Sequence, residues 1–432
     1  MDVYAQMLAQ LRGASAAERM SRLYGHREGE LARQFTRYSR LVKAHEDYFH
    51  ANGEKLYLIS APGRTEIAGN HTDHNNGRVL AAAVNVDTVA CVSPRSDTVA
   101  CIHSEGFPSI EVDLSELSVR EEEAGTSAAL VRGVAAGMKA AGYELGGFNA
   151  VVISDVRSGS GLSSSAAYEV LICAVLDALY NGFTVDAVKR AQIGQYAENV
   201  YFGKPSGLMD QTASSVGGLV TIDFKKEPDV QPLSFSFSDA GYTLVVVNVG
   251  SSHDNLTDEY AAIRGEMQAV AGFFGEKVLR QVRPEQVIRQ LSGLREQTGE
   301  RAILRAFHFF EENERVCRMV QAVRAGDAQA VLRGINASGD SSWRLLQNLY
   351  PAGSTRQPMA LALALAAEML REDGAWRVHG GGFAGTTLNV VPNDKVPYFV
   401  EKMENVFGLG SCTLLDVRPE GAAVVLTAGR TE

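Results

Sequence analysis

Val156-Arg157-Ser158-Gly159-Ser160-Gly161-Leu162-Ser163-Ser164-Ser165-Ala166-Ala167 is a glycine and serine loop set between two apolar runs. Before it, Ala150-Val151-Val152-Ile153-Ser154 is short and β-branched, as a buried strand is, and after it Ala166 to Tyr180 carries apolar residues at helical spacing. The loop therefore feeds a helix N-terminus. Unpaired N–H groups and the positive end of the helix dipole converge there, and glycines let the backbone approach an anion, so the stretch reads as a phosphate cradle. Ser164 and Ser165 add hydroxyl donors or a magnesium ligand. No Gly-Lys-Ser/Thr follows, so this is not a Walker loop, and Ser164 stands where a dinucleotide fingerprint has its third glycine. A glycine turn capped by serines is the plainer reading of the same residues.

The 432 residues suffice for two domains, and 45% apolar with 21% charged residues is the composition of an ordinary globular chain. A net charge of −10 argues against nucleic acid or an anionic membrane as partner, since both need a basic face. Cys91, Cys101, Cys173, Cys317 and Cys412 are scattered, with no CxxC spacing, which fits a reducing cytoplasm better than a disulfide framework or a thiolate zinc site. The first residues lack the pattern of a secretory signal, and Met359 to Ala367 is too short to span a bilayer and reads as a core helix.

Along the chain, the first 50 residues read as helical, with Ser15-Ala16-Ala17-Glu18 as a capping box, and His45 and His50 read as solvated helix residues. Leu56 to Ser60 reads as a strand that Ala61-Pro62-Gly63 turns. From Arg64 to Gly77 the side chains are densely polar. Glu66, Asn70, His71, Asp73 and His74 present donors and acceptors at short spacing, which suits the vicinal hydroxyls of a sugar. His71, Asp73 and His74 lack a fourth partner at a recognisable metal-ligand spacing, and a polar surface loop is the other reading. Val185 to Tyr201 reads as a helix carrying Glu198, Gly217 to Phe224 turns into a strand, and a domain boundary falls near residue 225. Leu244 to Val249 reads as a strand leading to Ser251-Ser252-His253-Asp254-Asn255 and Tyr260, and Ala261 to Leu370 as mostly helical. Trp376–His379 and Thr386–Val391 read as strands joined by Gly380-Gly381-Gly382-Phe383-Ala384-Gly385. Composition and pattern alone support helices with strands, and no more.

Four of these stretches, in order, resemble the motifs of the galactokinases. They are Ala61-Pro62-Gly63-Arg64 with Gly69, His71, Thr72 and Asp73; Gly159 to Ala166; Gly203-Lys204-Pro205-Ser206-Gly207-Leu208-Met209-Asp210-Gln211; and His379 to Gly385. The second is shared by the wider superfamily of galactokinase, homoserine kinase, mevalonate kinase and phosphomevalonate kinase (GHMP). The resemblance implies an α+β, two-domain fold, with an N-terminal mixed-sheet α/β domain (1–225), a C-terminal antiparallel sheet with helices (226–432) and the active site in the cleft between them. It implies phosphorylation of a hexose with ATP and Mg²⁺; a monomer without nucleic acid or membrane as partner is expected.

Each part of phosphoryl transfer then has a residue. Gly159, Ser160, Gly161, Leu162, Ser163, Ser164, Ser165 and Ala166 would hold ATP, while Ser165 and Glu198 would ligate Mg²⁺. Asp210 would accept the hydroxyl proton, and Arg64 would keep Asp210 ionised. Glu66, Asn70, His71, Asp73, Gly207 and Tyr260 would line the sugar site, and Gly380, Gly381, Gly382 and Phe383 would brace it.

The chain also departs from the family, which usually reads Gly-Arg-x-Asn-x-x-Gly-Glu-His-Thr-Asp-Tyr. Here Glu66 stands for the asparagine, Asn70 for the sugar-holding glutamate and His74 for the tyrosine. Arg157 replaces a proline before the phosphate loop and reads as exposed. Three readings follow: a kinase making galactose 1-phosphate, a relative acting on another hexose such as N-acetylgalactosamine, and a non-catalytic regulator that senses sugar and ATP. The intact Ser165, Glu198, Asp210 and Arg64 argue against the last.

Overall fold

Apolar residues alternate with period two on neighbouring strands and give the larger sheet two buried faces. The structure, a computed structural model, describes residues 2–50, 55–157, 159–250 and 256–429, so Ser158 and the stretch Ser251–Asn255 lie outside the described residues. Its strands are β1 (Leu56–Ala68), β2 (Arg78–Pro94), β3 (Val99–Ser104), β4 (Ile110–Asp113), β5 (Phe148–Ser154), β6 (Leu219–Asp223), β7 (Asp229–Leu233), β8 (Tyr242–Asn248), β9 (Ala375–His379), β10 (Thr386–Pro392), β11 (Cys412–Leu415) and β12 (Ala423–Ala428).

Eight strands form a mixed sheet in the order β12-β1-β2-β5-β3-β4, with β6 and β7 branching from β2. The 17 residues of β2 allow this: Arg78–Ala82 pair with β6, and Thr88–Pro94 pair with β5. Among the described residues, only β3 and β5 pair in parallel. Val89, Cys91, Val151 and Ile153 point to the N-terminal helices Val3–Leu11, Ala14–Tyr24 and Glu30–Phe49, while Ala90, Val92, Ala150 and Val152 point to helices Ser127–Ala140 and Ser164–Tyr180. The second sheet, β11-β8-β10-β9, is wholly antiparallel. One face (Val245, Val247) packs on helices Pro358–Leu370 and Val396–Phe407. Its other face (Leu244, Val246, Leu388) joins Ile67, Leu80 and Ala82 of the first sheet and Val316 and Met319 of helix Glu300–Arg324 in one core. The two sheets therefore meet at the far ends of β1 and β2, where the polar run begins.

Four local expectations fail for identifiable reasons. Ala61-Pro62-Gly63 makes no turn, because β1 continues through it with register shifts at Pro62/Arg64 and Glu66/Ala68. Gly63 is needed there for close approach, since a Cβ would lie 2.8 Å from the Leu162 carbonyl oxygen. The capping box is absent: the second helix starts at Ala14 after Gly13, with no side-chain cap. His45 is fully buried rather than solvated, and it bonds the Tyr4 hydroxyl at 2.9 Å because its helix face lies on the sheet. Finally, the helix of Glu198 divides into Ala187–Tyr196 and a wider π-type turn, Ala197–Phe202, a widening often found at functional positions.

Candidate active site

β1 and the helix Met209–Val216 bring Arg64 and Asp210 together as a two-bonded fork, Nε to Oδ1 and Nη2 to Oδ2, both at 2.7 Å. Arg64 also donates Nη1 to the Gly161 carbonyl and its backbone N–H to Leu162 O, which fastens the glycine loop to the strand. Asp210 further accepts the Ser163 hydroxyl. Ser163 sits at φ 65°, a left-handed conformation unfavourable for serine, directly before helix Ser164–Tyr180, and its side chain makes no cap hydrogen bond. The first N–H groups of that helix are thus left for another acceptor. Burial alone would raise the Asp210 carboxyl, but the Arg64 charge and its hydrogen bonds hold it below the usual value, so it is ionised at neutral pH.

One turn along, Ser165 Oγ donates to Glu198 Oε1 at 2.8 Å, and Lys204 Nζ reaches the same oxygen at 2.9 Å. Gln211 Nε2 links Glu198 Oε2 (2.9 Å) to Glu169 Oε2 (3.0 Å). Burial beside Glu198 pushes the Glu169 carboxyl well above its ordinary value. Hydroxyl and carboxylate oxygens already gathered around a cation are a donor set that Mg²⁺ accepts. Among the described residues no group of three or more His, Cys, Asp or Glu forms a metal cluster, so such an ion would need phosphate or water oxygens as well.

The sugar-type loop Gly69–Asn76 is fixed by successive carbonyls of the loop between β9 and β10. Gly380 O accepts Asn70 Nδ2 at 2.8 Å, Gly381 O accepts His71 Nε2 at 2.9 Å, and Gly382 O accepts the Tyr260 hydroxyl at 2.8 Å. Phe383 packs edge-on to Tyr260, with centroids 5.5 Å apart. Burial lowers His71 to about 4, so its imidazole is neutral and, with Nε2 donating, Nδ1 is left as an acceptor. Asp73 abuts Gly207, where a Cβ would lie 1.7 Å from Asp73 Oδ2, so a larger residue there would push the Asp73 carboxylate from its place.

Arg64, Asp210, the loop 159–166, Glu198, His71, Asp73, Gly207 and Tyr260 thus converge at the junction of the two sheets. Glu66 and Asn70 lie beside them but face inward. Glu66 Oε1 is paired with Arg377 at 2.5 Å, and both side chains are essentially inaccessible. Asn70 bonds Asn348 at 2.8 Å, with Ser342 and Glu66 each at 3.3 Å, so both ends of its amide are engaged. Arg157 is exposed, in line with expectation.

Several supporting residues carry roles that the sequence did not assign them. His308 donates Nε2–H to Asn70 O at 2.8 Å, Glu312 accepts the Gly69 N–H at 2.9 Å, and His379 bridges Thr65 (3.0 Å) and Thr386 (3.1 Å). His308 and Glu312 sit on a long helix among other charged residues and gave no signal. Arg377 and His379 did: two ionisable residues at i and i+2 inside an apolar strand share one face, and a buried face must pair them.

Known proteins match this arrangement. Residues 43–94 match the galactokinase galactose-binding signature, and residues 129–218 match the GHMP kinases N terminal domain. The galactokinase of Glaesserella parasuis serovar 5 (strain SH0165) is 34% identical over 78% of this chain and 86% of its own length, and that of Homo sapiens is 31% identical over 89% and 95%. The crystal structure of Lactococcus lactis galactokinase complexed with galactose superposes with a TM-score of 0.77 at 25% identity, covering 90% of this chain and 99% of that one.

Proposed function

Because the chain belongs to the galactokinase family, we propose that it transfers the γ-phosphoryl group of ATP to the anomeric hydroxyl of galactose, giving galactose 1-phosphate and ADP. The observation that carries this reading is the Arg64–Asp210 fork, tied through Gly161 and Ser163 to the phosphate-type loop.

In this reading the loop 159–163 and the first N–H groups of helix Ser164–Tyr180 hold the triphosphate. Ser165 and Glu198 hold Mg²⁺, which neutralises charge on the phosphates when bound. His71, Asp73, the Gly207 backbone and Tyr260 orient the hexose, with Gly380–Phe383 fixing them from the second sheet. The sugar oxygen attacks the γ-phosphorus as the bond to the β-phosphate oxygen breaks, and the hydroxyl proton passes to Asp210. Arg64 does two jobs: it keeps Asp210 ionised before transfer and places a positive charge beside the transferring group. Positioning and charge supply the catalysis, as a loose transition state requires.

Glu66 and Asn70 act in this reading as struts behind the sugar loop. Their engagement with interior partners favours one further possibility, a sugar-facing surface that admits a related hexose such as N-acetylgalactosamine. The division into 1–225 and 226–432 gives the two walls of the cleft, crossed by β7 and β12, which pair in the first sheet. A monomer in the cytoplasm completes the reading; among the described residues no helix is long and apolar enough to cross a membrane.

The test is ADP formation from ATP and Mg²⁺ across galactose, glucose, mannose, talose and N-acetylgalactosamine. Turnover of galactose above the others is expected. Preferred turnover of another hexose would move the specificity, and ATP binding without turnover of any sugar would overturn the kinase assignment.

A further inference from the structure

Glu198 Oε1 is shared between the Ser165 hydroxyl and the Lys204 ammonium, while Oε2 is held by Gln211. Lys204 is tied to this glutamate twice, because its backbone N–H also donates to the Glu198 carbonyl at 3.1 Å. The two side chains differ sharply in setting: that of Glu198 is 3% accessible and that of Lys204 59%. The ammonium thus covers the carboxylate from the solvent side, on a stem that is itself largely exposed. The Asp210 carboxylate also acts on it, so the ammonium balances more than one negative charge of the site. A buried carboxylate with no metal needs such a counter-charge, and a flexible lysine supplies it as a point charge without the rigid fork of an arginine.

We infer that Lys204 is a resident cation: its ammonium holds Glu198 Oε1 in the nucleotide-free protein and yields that oxygen to the divalent ion that arrives with the nucleotide. Incoming metal must therefore displace it. No covalent step is involved; one ion pair opens and the ammonium returns to water. This inference rests on the kinase reading above.

The test is Mn²⁺ binding in the presence of ADP, followed by loss of the free-ion electron paramagnetic resonance signal, on the full chain and on Lys204→Met. An ion pair with one solvated partner is weak, so Lys204→Met is expected to lower the Mn²⁺ concentration for half-saturation about twofold to fivefold. The gain should shrink as salt rises. Lys204→Arg should give no gain, and in a Glu198→Gln background Lys204→Met should have no effect. An unchanged half-saturation in Lys204→Met would overturn the inference and leave the kinase reading intact. So would weaker binding of metal-free ADP by that variant, which would place the ammonium on phosphate instead. Failure of the unmodified chain to bind metal and nucleotide at all would overturn both.

Discussion

Residues two apart on β1 make two arginine–carboxylate pairs with opposite fates. Arg64 pairs with Asp210, whose side chain is 29% accessible, and Glu66 pairs with Arg377, where neither side chain exceeds 3%. In the first pair the carboxylate reaches solvent and, in the function proposed above, keeps a lone pair for a substrate hydroxyl. In the second both charges are consumed in joining β1 to β9. On the proposed function, the same chemistry is a working group where its acid end meets solvent and a strut where it does not. Asn70 falls on the strut side and His71, its neighbour, on the working side.

Breaking each pair should separate these roles. Among variants that keep Asp210, Arg64→Met is expected to have the largest effect, lowering turnover about 10²- to 10³-fold, as loss of one preorganised charge does. Without Arg64 the Asp210 carboxyl rises, so the acid limb of the residual pH–rate profile should move to higher pH. Glu66→Gln and Arg377→Met should each act on stability instead, since each leaves one charge buried and unpaired. Urea unfolding should show losses of about 3–5 kcal/mol for each single variant, and replacing both together should recover part of it. Asn70→Ala leaves Gly380 O and Asn348 short of a partner and should cost about 1–3 kcal/mol, with a raised KM for galactose as the sugar loop loosens.

A smaller effect concerns pH. His45 and His71, each at about 4, and His308 and His379, also lowered, are buried and neutral in the fold. The unfolded chain binds their protons near 6.5, so the stabilisation is complete above that pH and is lost as pH falls from about 6.5 toward 4. Thermal unfolding measured across that window should show a declining midpoint, and His45→Gln should flatten part of the decline.

The contrast between the pairs marks the limit of what the sequence made legible. Local chemistry was readable: the strand–loop–helix around Gly159–Ala166, the β9–β10 hairpin, and the polar density of Arg64–Asp73 all follow from period, glycine and side-chain type. The direction of a side chain was not. Whether Glu66 looks into the cleft or into the joint depends on two register shifts in β1, and on Arg377 some 300 residues away. The polar residues around His45, Glu46 and Asp47 among them, suggest a solvated face, although the face of His45 itself lies on the sheet. The branching of β2 also went unseen, since pairing two strands along one 17-residue strand is a tertiary choice. Motif residues were found by type, and the residues that aim them only by contact.

Asp210→Asn tests the central claim most directly. The variant keeps the shape of the side chain and one acceptor for Arg64, turns the other fork oxygen into an NH2 donor, and cannot take a proton. Galactose turnover, nucleotide binding and the unfolding midpoint should be measured on one preparation. A loss of about 10²-fold or more in turnover is expected, with nucleotide binding retained and the variant folded at assay temperature, its unfolding midpoint lowered because the buried Arg64 loses its counter-charge. Near-normal turnover would contradict it, and would leave the Arg64–Asp210 pair as a second strut.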